Sequence, residues 1–221
     1  MKQLLLICAL VVGQSVLAAD KKPLTKDESV KVIEAAIRKA AKKPNGELTK
    51  ADCEKVRGLY LNSNQLTDVK GLEKCTQLKV LNLSGNQLTD VKGMEKLTQL
   101  ETLKIYGNQL TDVKGLEKLT QLRILWIQDN KLTGVKGLEN LTELKFLRLH
   151  NNQLTDVKGL EKLTQLKELA LSDNQLTSVK GLEKLTQLKE LWLSDNQLTK
   201  AQIDQLRKTL PKCEIYSNPK K

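Results

Sequence analysis

His150 is the only histidine of this 221-residue chain, and Cys8, Cys53, Cys75 and Cys213 are its only thiols. These side chains are the ones best suited to acid–base, covalent or metal chemistry near neutral pH. A Ser-His-Asp arrangement needs a hydroxyl beside the imidazole and a carboxylate to orient it. Ser172 is one repeat away from His150, and nothing else nearby completes the set. No Gly-rich phosphate loop follows a strand, and no Cys/His cluster has zinc spacing. The pattern predicts no catalytic residue, no metal and no cofactor. What remains is recognition. Tyr106, Trp126, Phe146, Arg148 and Trp192 are of the types that anchor macromolecular contacts.

What must position them is a repeat. Asparagine recurs every 22 residues, at Asn64, Asn86, Asn108, Asn130, Asn152, Asn174, Asn196 and Asn218. Around Asn86 the unit reads Leu78-x-x-Leu81-x-Leu83-x-x-Asn86-x-Leu88-x-x-Val91-x-x-Met94-x-x-Leu97, and Leu100 starts the next. This is the leucine-rich-repeat pattern. Leu81 and Leu83 alternate with polar residues, the period of a strand. The asparagine amide can both donate and accept, so it can satisfy backbone groups where the chain turns inward. Leu88, Val91, Met94 and Leu97 fall three apart, which suits a tight, 3₁₀-like return. Gly93 and its equivalents Gly71, Gly115, Gly137, Gly159 and Gly181 ease the bend. The expected fold is an α/β solenoid with a parallel β-sheet on its concave face, each turn buried only by its neighbours.

Residues flanking the inward leucines of each strand should face the concave side. All six aromatic residues, Tyr60, Tyr106, Trp126, Phe146, Trp192 and Tyr216, fall at such positions, and so does His150. The convex side hardly changes from repeat to repeat. The densest cluster is Tyr106, Ile124, Trp126, Phe146, Arg148 and His150, with Trp192 further along. Exposed aromatic and apolar clusters mark contact sites; cross-strand pairing for stability is the competing explanation. Glu168, Glu190 and Glu214 share the face beyond this cluster, with Asp173 and Asp195 at its edge.

Both ends of a solenoid need covering. Thr25-x-x-Glu28 matches a capping box, with Val30, Ile33, Ile37 and Ala40 following at helical spacing. Pro44-Asn45-Gly46 stops that helix, and a second short helix is expected from Thr49 to Lys55. Thr199-x-x-Gln202 starts another, with Ile203, Leu206 and Leu210 on one side, before Cys213-x-Ile215-x-x-Asn218 restores the strand pattern. The charged start, the apolar run from Leu4 to Val12 and Val16-Leu17-Ala18 read as a secretory signal. The expected division is a signal peptide at 1–18, a helical cap at 19–55, repeats at 56–199 and a C-terminal cap with tail at 200–221. Cys53 and Cys75 stand one period apart in the same register, within disulfide reach on neighbouring turns. Two buried thiols filling leucine-sized sites is the alternative.

The net charge is +11, yet residues 56–199 hold 20 basic and 17 acidic residues, so the excess lies mostly at the ends. No continuous basic stripe offers itself to nucleic acid.

The phrase Asn-Gln-Leu-Thr-Asp-Val-Lys-Gly-Leu-Glu-Lys-Leu-Thr-Gln-Leu at 108–122 resembles the repeats of bacterial internalins. The run from Leu48 to Val56 resembles the passage from an internalin-type helical cap into the first strand. The resemblance covers about residues 26–218. It implies protein binding through the concave face. One departure is Gly93 and its equivalents, where internalins commonly place proline. The expected function is thus an exported, secreted or periplasmic, monomeric module binding a protein partner. Binding of an envelope glycan or anionic polymer, and a passive structural role, are the alternatives.

Overall fold

The computed structural model describes residues 22–220, so the expected signal peptide lies outside the described residues. Each repeat contributes one three-residue strand whose central residue points inward. The strands are β1 (Gly58–Tyr60), β2 (Val80–Asn82), β3 (Thr102–Lys104), β4 (Ile124–Trp126), β5 (Phe146–Arg148), β6 (Glu168–Ala170), β7 (Glu190–Trp192) and β8 (Glu214–Tyr216). They pair in parallel and in sequence order, one 8-stranded sheet. At about 4.8 Å per step the sheet extends roughly 34 Å. The core is a column of leucines: Leu81, Leu103, Leu125, Leu147 and Leu169 stack directly on one another and are fully or almost fully buried. Leucine at every rung explains why so few aromatics suffice.

The asparagine ladder is where the backbone leaves the sheet. Asn130 Nδ2 donates to the carbonyls of Ile105, Ile127 and Gln128 at 3.1–3.2 Å, and its Oδ1 accepts from the Leu110 amide at 3.0 Å. Asn86, Asn108, Asn152, Asn174 and Asn196 do the same one turn apart. Each amide therefore ties its own turn to the preceding one and leaves few buried polar groups unpaired.

The return path contains 3₁₀ turns at Leu72–Lys74, Met94–Lys96, Leu138–Asn140, Leu160–Lys162 and Leu182–Lys184. The glycine before each has a left-handed backbone, φ 95–111°. Its amide donates to the glutamate two residues on, as Gly93 does to Glu95 at 2.7 Å. Proline would fail here twice, because its φ is fixed near −65° and it has no amide proton. This gives the departure from the internalin repeat a physical reason. Hydrogen bonds from the glutamate's own backbone amide first, and then from the glycine's, hold the Glu95 and Glu139 carboxyls below the usual glutamate range.

Helix α1 (Lys26–Ala41) begins at the expected capping box, with Thr25 and Glu28 each accepting from the other's backbone amide. Ile33 and Ile37 are buried, but Ala40 is exposed. The buried face instead includes Ser29, whose hydroxyl oxygen accepts from the Thr67 amide at 3.1 Å. Helix α2 (Lys50–Glu54) starts at a second box, Thr49 with Asp52. Asp52 also pairs with Lys43 and Lys55, both at 3.3 Å.

The C-terminal end corrects the sequence reading. Helix α3 (Lys200–Thr209) forms from its Thr199–Gln202 box as expected. However, β7 meets β8 as Glu190↔Glu214, Leu191↔Ile215 and Trp192↔Tyr216, an offset of 24 residues where earlier steps are 22. The helix occupies two more residues than an ordinary return. Asn218 consequently leaves the ladder: it is exposed and exchanges hydrogen bonds with Asp195 at 2.6 and 2.8 Å. A slip of two preserves which side each residue faces, so Glu214 and Tyr216 stay on the aromatic face. Lys212 falls outside the strand.

Candidate functional site

The sheet register arranges the face into rows. One runs Thr102, Ile124, Phe146, Glu168, Glu190, Glu214, and the next runs Lys104, Trp126, Arg148, Ala170, Trp192, Tyr216. The strand residues between them are the buried leucines, so both rows stand outside the core. Tyr106, Gln128 and His150 follow two residues beyond β3, β4 and β5. Of the candidate residues, Tyr106, Ile124, Trp126, Phe146, His150 and Trp192 are partly exposed and Arg148 is exposed. The first six of the dense cluster lie on three neighbouring strands and the turns leaving them. Trp192 belongs to a separate group two strands past Arg148.

Trp126 is the centre of the first group. Lys104 Nζ lies 3.8 Å from its ring centroid and the Arg148 guanidinium carbon 4.4 Å, one cation from each flanking strand. Tyr106 packs at 6.5 Å and a 48° tilt. Cations over an indole ring gain from its quadrupole. Neither Lys104 nor Arg148 forms an ion pair among the described residues. Lys104 and Gln128 both flank inward leucines or isoleucines, so the sequence places them on this face, but neither was counted among the anchors; for Lys104 the signal was its position opposite Trp126 in the row. Gln128 is buried, and its Oε1 accepts no hydrogen bond. Such an acceptor is costly unless a donor arrives.

The second group is built on Trp192, whose ring stacks on Tyr216 at 5.7 Å and 11°. Glu190 and Glu214 are direct cross-strand partners beside it. The Tyr216 hydroxyl donates to Glu214 at 2.6 Å, which raises the phenol's pKa. Asp173 and Asp195, expected as an acidic edge, have another reason to be there. They occupy left-handed backbone at φ 54° and 55°, the position that Ser63, Gly85, Gly107, Asp129 and Asn151 fill in other turns. Short polar residues and glycine tolerate that conformation best.

Cys53 and Cys75 are both buried and stand as thiols. Burial, with Cys53 alongside, pushes the Cys75 thiol up to about 12. Cys213 is partly buried and raised to about 11, by burial first and then by Glu190 and Glu214.

The family model for leucine-rich repeats in two copies matches residues 54–96, 98–140, 120–162, 142–174 and 164–208. Among solved structures, the chain is similar to an internalin C2 from Listeria monocytogenes. The identity is 25%, covering 90% of this chain and 100% of that one, with a TM-score of 0.67. It is similar to the functional domain of InlJ from the same organism, which includes a cysteine ladder. There the identity is 25%, covering 91% of this chain and 45% of that one, with a TM-score of 0.73. A leucine-rich-repeat protein of Leptospira interrogans is 31% identical over 76% of this chain and 51% of that one, with a TM-score of 0.60. The search of curated proteins found no match.

Proposed function

We propose that this chain, which belongs to the leucine-rich-repeat family and is internalin-like in fold, is an exported, monomeric binding module that docks a protein partner on its concave face. One observation carries this reading: every aromatic residue of the chain stands on one face of the sheet while the rest of each repeat is copied. The leucine column secures the fold without them, so their placement answers to something outside the core. Aromatics and arginine are favoured anchors of protein interfaces. The near-balanced charge of the repeats also suits a protein surface better than a uniform polyanion.

The test is capture from the native envelope with the full chain as bait, run beside a Trp126→Ala bait. A protein held by the first and lost from the second is the expected result. A partner held equally by both overturns the proposal.

A further inference from the structure

The two aromatic groups on the face are framed by opposite charge. Around Trp126 stand Lys104 and Arg148, each against the ring and neither in an ion pair among the described residues. Around Trp192 stand Glu190 and Glu214, adjacent in register, which likewise form no ion pair among the described residues. Ala170, the smallest side chain of the row, separates Arg148 from Trp192. Trp126 and Trp192 are three strand steps apart, about 14 Å.

Each group has the chemistry of a receptor for one sign of charge. A carboxylate brought to the first meets an ammonium and a guanidinium already held at the indole, so little side-chain freedom remains to be lost. A lysine or arginine brought to the second meets two carboxylates beside a stacked aromatic pair, an arrangement that favours cations. We infer that the concave face selects a dipolar protein segment. It places an acidic group on Lys104, Trp126 and Arg148, and a basic group on Glu190, Trp192 and Glu214. At about 3.4 Å per residue, the two groups are separated by about four residues of extended chain. This rests on the reading that the face docks a protein and specifies that protein's charge pattern. A segment with one sign of charge gains at one group and is repelled at the other.

The test uses calorimetry with synthetic peptides. One carries an aspartate pair and an arginine pair separated by a serine spacer of about two residues, which puts the pair centres about four residues apart. Others carry the same residues interleaved, aspartate at both ends, or tyrosine in place of every charge. The spaced peptide is expected to bind at least about tenfold tighter than the interleaved or all-acidic ones, each factor of ten being about 1.4 kcal/mol. Exchanging Lys104 and Arg148 for glutamate should remove that advantage. A peptide with arginine at both ends should restore binding to this variant, a rescue that an unfolded variant would not give. Equal binding of spaced and interleaved peptides, binding of neither, or no rescue overturns the inference. An uncharged tyrosine peptide that binds wild type and not Trp126→Ala would keep the docking reading while ending the charge inference. Peptide binding indifferent to Trp126→Ala would end both.

Discussion

At the scale of residues, one amino acid type has two fates set only by register. Asn130 and Asn218 both sit on the 22-residue spacing, although only Asn130 is followed by the leucine of the Asn-x-Leu pattern. Asn130 is bonded to four backbone groups of two turns, whereas Asn218 is exposed at the rim. Asn130→Ala strands the buried Leu110 amide, while the Ile105, Ile127 and Gln128 carbonyls keep second donors in Asn108 Nδ2, Asn152 Nδ2 and the Gly107 amide. An unsatisfied buried group costs about 1–3 kcal/mol, so a loss of that size is expected. In a chain of this size that lowers the melting temperature by roughly 2–12 °C. Asn218→Ala should change stability by less than about 0.5 kcal/mol. Equal losses on thermal unfolding would contradict the ladder account. The cysteines give a second prediction. With its pKa near 12, Cys75 is a protonated, buried thiol in the folded chain and reacts slowly with disulfide reagents. Cys53 and Cys75 are therefore expected to remain buried thiols. Protein without its signal segment, refolded in a glutathione redox buffer, should show three free thiols on denaturation. One free thiol, that of Cys213, would show instead that Cys53 and Cys75 pair while the chain folds.

At the scale of elements, capping boxes were the most legible feature outside the repeats. Thr25–Glu28 and Thr199–Gln202 start helices where the side-chain pattern placed them, and the short helix expected from Thr49 starts at a third box, with Asp52, that the structure adds. Their buried faces were less legible, because Ser29 owes its burial to a bond with the first repeat rather than to hydrophobicity. The β8 slip was invisible for a related reason. A two-residue shift keeps the inside–outside alternation, so the strand pattern fits both registers, and the asparagine spacing pointed to the one not adopted. Asp52 makes the N-terminal cap sensitive to acid. Hydrogen bonds from Thr49 come first among the causes that hold its carboxyl well below the usual carboxylate range, and Lys43 and Lys55 add to them. An unfolded aspartate protonates near 3.8, before the folded one. The unfolded state therefore binds the proton first, and stability is lost as pH falls below that value. Above it the contribution is complete. Urea titrations between about pH 6 and pH 3 should show a steeper loss for wild type than for Asp52→Asn. Parallel profiles would show that the ion-paired cap adds nothing at low pH.

At the scale of the whole molecule, the leucine and asparagine period made the solenoid, its parallel sheet and the aromatic face readable without coordinates. What it could not show was how the face is organised across strands. The two cations at Trp126 and the orphaned Gln128 acceptor depend on side-chain positions that a one-dimensional period does not encode. Among the described residues, no helix is long and apolar enough to cross a membrane. The start of the chain supplies the prediction about export: protein recovered outside the cytoplasm should begin at Ala19 or Asp20 by mass spectrometry. Intact Met1 on exported protein would contradict the signal segment.

The central claim is that the aromatic face binds and the copied convex side does not. The most direct measurement is the affinity of the captured partner for Trp126→Ala, Phe146→Ala and Lys114→Ala, with a melting curve for each. Truncating a central anchor typically costs about 2 kcal/mol or more of binding, roughly thirtyfold in affinity. Trp126→Ala also releases two cations from its ring, about 0.5–1 kcal/mol each when exposed, so stability should fall less than affinity. Lys114 is exposed on the return path and only in a loose 3.7 Å pair with Asp112, so both quantities should be unchanged. Normal binding by the two aromatic variants, with binding lost in Lys114→Ala, would contradict the account.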